Sequence, residues 1–132
     1  MEKLSKYFKK TQGLGVLSTA DKKGKVNAAL YARPHFMNDE TTAFIMADRL
    51  THRNIQENPK AVYLFVENSK DYTGKRLYLT KTRESEDPSL IESLRRKKSC
   101  CPVLDGPGMK KSFLVYFRVD SVLPLVGEKA AS

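Results

Sequence analysis

At 132 residues the chain has the length of one domain, and a chain of that size buries roughly two thirds of its unfolded surface. A hydrophobic fraction of 40%, a charged fraction of 30% and apolar runs far shorter than the about 20 residues of a bilayer-crossing helix exclude a membrane span. The formal charge of +9 admits nucleic acid, acidic surfaces or small anions, but the basic residues fall in small groups without an aromatic-interleaved stripe or helix-turn-helix spacing, which argues against specific nucleic-acid recognition.

Residues 2–12 place Leu4, Tyr7, Phe8 and Thr11 at helical spacing with lysines opposite, predicting an amphipathic opening helix that Gly13 ends in the left-handed conformation. The start MEKLSKYFKK lacks the apolar stretch of a secretory signal, so a cytoplasmic protein is expected. Residues 14–20 read as a strand, the turn DKKGK supplies Gly24 for a positive φ, and a second strand runs from 25 to about 33, completing a hairpin. Pro34 ends regular pairing, and Asn38, Asp39 and Glu40 form the next turn.

The organising stretch comes next. TAFIMADRLTHRNIQENPKAVYLFV, residues 42–66, reads as two buried strands at 43–47 and 61–66 flanking one short, positively charged helical turn. Thr51 is placed as N-cap, His52, Arg53 and Asn54 as the first turn, and Pro59 stops the helix by pushing Asn58 out of the α region. Free first-turn amides, the Thr51 hydroxyl and the guanidinium groups of Arg49 and Arg53 then make an anion site of phosphate size. A capped surface helix is the plainer alternative.

After a polar loop at 67–74, a long strand is expected at 75–84, with Leu77 and Leu79 on one face. Asp87 and Pro88 open a helix whose apolar stripe is Leu90, Ile91 and Leu94, with the basic residues 95–98 at the negative end of its dipole. Residues 100–111 read as a loop of flap or interface length, and 112–122 as the last strand. Cys100 and Cys101 are adjacent and are the only 2 cysteines, a spacing that suits neither a structural disulfide nor a zinc site, so unpaired thiols and no metal are expected. About six hairpin-joined strands with few crossovers favour a small antiparallel barrel, because closure removes unpaired edges.

Two segments attach this pattern to a family. GVLSTADKKGKVNAALYA is similar to the opening hairpin, and FIMADRLTHRNIQENPKAVYLFVE to the strand, phosphate loop, Asn-Pro and following strand, of the FMN-binding split-barrel proteins related to pyridoxamine 5′-phosphate oxidase. GKRLYLTKTRE occupies the place of the next long strand. The chain resembles that family best over roughly residues 13–78. The resemblance implies a mainly β (α+β) domain over residues 1–132, a six-stranded antiparallel split β-barrel with short flanking helices. It also implies a homodimer with FMN at the subunit interface, the phosphate held by one subunit and the ring lying partly against the other.

Carried over by position, Arg49, Leu50 and Thr51 fall on the phosphate loop and Arg53 on a frequently basic position just after it, with His52 as a further candidate for the phosphate. Asn27, Ala28 and Ala29 fall on the strand that runs beside the flavin; Ala28, Ala29 and Ala47 are small enough for a flat ring to approach the backbone. Leu50 and Thr51 stand where the family has a basic pair, and the expected second-strand arginine is absent. Arg49, Arg53, the Thr51 hydroxyl and the helix amides are therefore expected to hold the phosphate.

The function this resemblance implies is that of an FMN-dependent oxidoreductase of unknown substrate. The alternatives are a flavin-binding electron carrier without its own substrate and a split barrel for another anionic ligand such as haem. Catalytic residues stay unassigned: His35 reads as a surface or strand-end residue, and Tyr31, Tyr72, Tyr78 and Tyr116 as packing residues. Oxidation of pyridoxamine phosphate itself is not expected, since no C-terminal basic motif offers a grip for a second phosphate.

Overall fold

Alternating apolar residues build one seven-stranded antiparallel sheet in the computed structural model, which describes residues 3–97 and 112–127. The elements in chain order are α1 (Leu4–Lys10), β1 (Gly13–Ala20), β2 (Val26–Leu30), β3 (His35–Phe36), β4 (Thr41–Ala47) and α2 (Leu50–Glu57). They continue with β5 (Lys60–Glu67), β6 (Gly74–Ser85), α3 (Pro88–Lys97) and β7 (Ser112–Pro124). Strands lie in the order β2-β1-β5-β6-β7-β4-β3, each antiparallel to its neighbours.

The order places β5 and β4 three positions apart, a span of roughly 14 Å on a flat sheet. Yet the Phe44 and Tyr63 ring centroids are 5.0 Å apart. The sheet therefore curls around one interior, packed with Leu17, Met46, Phe65, Leu77, Leu79, Phe113, Val115 and Phe117 beside those two rings. This is the expected antiparallel split barrel with short flanking helices. Its strand count is seven instead of six, because the two-residue β3 is too short to show as an alternation in sequence.

Close packing explains where the chain departs from its sequence pattern. Gly13 does not end α1 in a left-handed conformation: the helix stops at Lys10 with an extended Thr11, and Gly13 begins β1. Its hydrogen is needed there, since a Cβ would lie 2.2 Å from the Val66 carbonyl oxygen. Gly24 does adopt positive φ, +87°, in the β1–β2 turn. The second strand ends at Leu30, not near Arg33. Beyond Tyr31 the chain leaves β1, and the Arg33 guanidinium donates to the carbonyls of Phe8 and Thr11, both at 2.8 Å, tying down the end of α1.

Outside the barrel, α3 covers the back of β4 and β7 through Ile91, Leu90 and Leu94 against Ala43, Leu114 and Tyr116. Asp87 caps it as expected, its Oδ1 accepting from the Ser89 amide at 3.0 Å. The side chains of residues 95–97, the whole of 98–111 with both cysteines, and the tail after Gly127 lie outside the described residues. Among the described residues no helix is long and apolar enough to cross a membrane, and no group of three or more His, Cys, Asp or Glu side chains could hold a metal ion.

Candidate functional site

The turn after β4 begins earlier than its sequence suggests. Arg49, extended at φ −125° and ψ −169°, is the N-cap of α2, and Leu50, Thr51 and His52 form its first turn. Thr51 is not the cap but the second helical residue, and it is buried. The C-terminal stop is as expected: Asn58 is extended at φ −141° before Pro59. The first backbone bond within α2 runs from the Arg53 amide to the Arg49 carbonyl, 3.0 Å. The amides of Leu50, Thr51 and His52 have no acceptor within the helix.

Three elements carry this turn. β4 delivers it, ending at the buried Ala47, which pairs with Ser112 of β7. The β1–β2 hairpin supports it from the side: Asn54 Nδ2 donates to Thr19 Oγ1 at 3.1 Å, and the Lys22 amide to Glu57 Oε1 at 3.3 Å. β2 therefore passes α2 from its C-terminal end towards its first turn. Asn27 and Ala29, opposite Thr19 and Leu17, share the face that meets α2. Ala28, opposite Ser18, faces the other way and is exposed.

Arg49 and Arg53 are exposed and form no ion pair or hydrogen bond through their side chains with the described residues. Leu50 is half exposed. The Thr51 hydroxyl has no hydrogen-bond partner there either, although only 4% of the residue is accessible. Two free guanidinium groups, a free hydroxyl and three free amides thus sit at the positive end of one helix. These donor types suit a dianionic phosphate.

His52 is placed differently. Its ring is buried and stacked on Phe113, with centroids 4.0 Å apart. Nδ1 lies 3.1 Å from Asp48 Oδ1 and Nε2 lies 3.0 Å from Glu84 Oε2. Glu84 Oε1 also accepts from Gln56 at 2.7 Å and from Lys81 at 2.8 Å. Burial opposes ionisation of Glu84, but the bonds from Lys81, Gln56 and His52 outweigh it and hold the carboxyl at about 2, against an ordinary 4.5. Asp48, Glu84, Lys81, Gln56 and Phe113 were not legible as one group. The Asp48–His52 spacing of four was the one local signal, while Glu84 and Phe113 arrive through the sheet.

Of the remaining ring-bearing candidates, Tyr116 packs under α3 with Arg83 4.1 Å above its ring, Tyr31 packs edge-on to Phe44, and Tyr72 is exposed. His35 pairs with Ala43 in the short β3.

A curled antiparallel barrel of this topology with short flanking helices is the architecture of the FMN-binding split barrels. The family profile of pyridoxamine 5′-phosphate oxidase matches residues 1–122, and the chain belongs to that family. No curated protein matches it in sequence. Among solved structures it is similar to an FMN-binding protein from Syntrophomonas wolfei subsp. wolfei, with 21% identity and a TM-score of 0.73 over 95% of this chain and 85% of that one. HupZ from Group A Streptococcus has 19% identity and a TM-score of 0.71, covering 100% of this chain and 98% of its own. A protein named F420 reductase has 19% identity and a TM-score of 0.67, covering 92% and 98%. At these identities the likeness to the solved structures concerns the fold.

Proposed function

We propose that the chain is an FMN-binding oxidoreductase that works as a homodimer. It holds the FMN phosphate at the first turn of α2 and the ring beside β2. The observation that carries this reading is the pair of guanidinium groups, Arg49 and Arg53, unpartnered among the described residues and carried by the same helix end as three amides and the Thr51 hydroxyl that likewise have no partner there. Charge-assisted bonds contribute about 1.5–3 kcal/mol each, and micromolar binding needs roughly 8 kcal/mol. Two or three such bonds plus burial of the ring reach that figure.

The ring's place is supported by Asn27 and Ala29 on the α2 side of β2 and by Ala47 at the end of β4. Bound FMN supplies reversible hydride and electron transfer. The chain's own residues anchor the phosphate, orient the ring and, once a second protomer covers it, exclude water. Support for that second protomer comes from the outer face of the sheet: Leu30, Val16 and Leu64 lie side by side in register, and Val26, Leu30 and Leu14 are more than half exposed.

The deciding experiment is the absorption spectrum and released cofactor of protein purified without added flavin. A flavin spectrum with FMN released on denaturation supports the reading, and colourless protein that fails to bind added FMN defeats it. NAD(P)H oxidation by the holoprotein then separates an enzyme from an electron carrier.

A further inference from the structure

His52 meets a carboxylate at each ring nitrogen: Asp48 Oδ1 at Nδ1, 3.1 Å, and Glu84 Oε2 at Nε2, 3.0 Å. A neutral imidazole has one N–H and one lone pair, so either tautomer aims a lone pair at a carboxylate oxygen. Only the ring protonated on both nitrogens donates to both. Gln56 Nε2, 3.1 Å from His52 Nε2, offers a donor to the neutral ring and so gives the deprotonated state its own partner. The arrangement has two distinct bonding states.

Among the described residues the charged groups around the ring are few. Asp48 comes from the segment before α2, and Glu84 and Lys81 from β6, with Lys81 Nζ 2.8 Å from Glu84 Oε1. β7 presents Phe113, and β4 contains no ionisable side chain. Asp48 immediately precedes the N-cap Arg49, and its carboxylate is held by His52 of the same first turn whose amides are assigned to the phosphate. Left uncompensated, that charge repels an anion there.

We propose that His52 is a positioning residue for the anion site. As the doubly protonated ring it bridges Asp48 to Glu84, pins the first turn of α2 to β6 and cancels the Asp48 charge, so anion affinity falls when the bridge loses its proton. The identity of the anion rests on the FMN reading; the bridge itself does not.

The first test is the ring-nitrogen NMR shifts of His52 in the flavin-free full chain, at about pH 6 and about pH 8.5. Both nitrogens carry protons at the lower pH and one does at the higher, and Glu84→Gln lowers the doubly protonated fraction at the lower pH severalfold. A singly protonated wild-type ring at both values overturns the bridge whatever the protein binds. The second test is FMN titration at the same two values. Wild type loses at least about threefold more affinity on going up in pH than His52→Gln does, the size of effect one nearby surface charge exerts.

The phosphate of FMN gains charge over the same range in both proteins, so the difference between them isolates His52. Asp48→Asn is expected to raise affinity at the higher pH by a similar factor. Equal pH slopes in wild type and His52→Gln overturn the gating while leaving FMN binding intact. Should FMN fail to bind at either pH, the FMN reading falls, and inorganic phosphate followed by the amide shifts of Leu50, Thr51 and His52 reads the same pH difference.

Discussion

Asp48 and Arg49 are neighbours of opposite charge at one helix end, and the site depends on which of them faces the ligand unopposed. Arg49 forms no pair with the described residues, whereas Asp48 is turned to His52. Replacing Arg49 by Ala together with Thr51→Val, which keeps the buried shape and removes the hydroxyl, should weaken FMN by at least about tenfold, roughly 1.4 kcal/mol. Fluorescence titration measures it, and unchanged affinity moves the phosphate elsewhere. Glu84 gives a stability prediction of definite sign. Its folded value of about 2 lies below the ordinary 4.5, so its contribution is present above pH 4.5 and is lost as pH falls towards 2. The full loss is about 3 kcal/mol. Urea unfolding of Glu84→Gln across that range should show a correspondingly shallower acid slope than wild type.

At the scale of elements, the strands were legible because one buried face forces period-two alternation, as in β5, where Ala61, Tyr63 and Phe65 alternate with Val62, Leu64 and Val66. Pro59 likewise marked the end of α2 by a purely local clash. The start of α2 was not legible: Thr51 is the better intrinsic cap, but β4 and the hairpin contact of Asn54 set the helix two residues earlier and turn Thr51 inward. Gly15 was unremarkable in sequence, yet a Cβ there would lie 1.9 Å from the Tyr63 hydroxyl, which donates to the Tyr31 carbonyl at 3.1 Å. Gly15→Ala should therefore cost at least about 2 kcal/mol, from overpacking and the lost bond. Arg33→Met, which removes both donations to the end of α1, should cost about 2 kcal/mol and speed amide exchange in α1 with little change in the barrel strands.

For the molecule as a whole, the barrel interior is filled by its own aromatic side chains, so a flat ligand has to lie outside it. The exposed apolar face on β1, β2 and β5 is where a second copy would bury it. Val26→Glu combined with Leu30→Glu places two charges on this face without touching the core, both side chains being more than half exposed. Sedimentation should then report monomers, and FMN affinity should drop by at least about tenfold in parallel. Monomers that bind FMN as tightly as wild type would separate dimerisation from the flavin site.

Sequence by itself determined the strand-rich domain, the glycine turn of the first hairpin, the helix between the fourth and fifth strands and its arginines, because each rests on periodicity, turn chemistry or a clash within a few residues. Tertiary structure alone decided that β3 exists, that Ala28 faces away from Asn27 and Ala29 in relation to α2, and that His52 is buried between carboxylates 4 and 32 positions away in sequence. The reason is physical. A carboxylate on β6 and a phenyl ring on β7 reach the imidazole only once the sheet has curled and set its register, and no local preference in the chain carries that information.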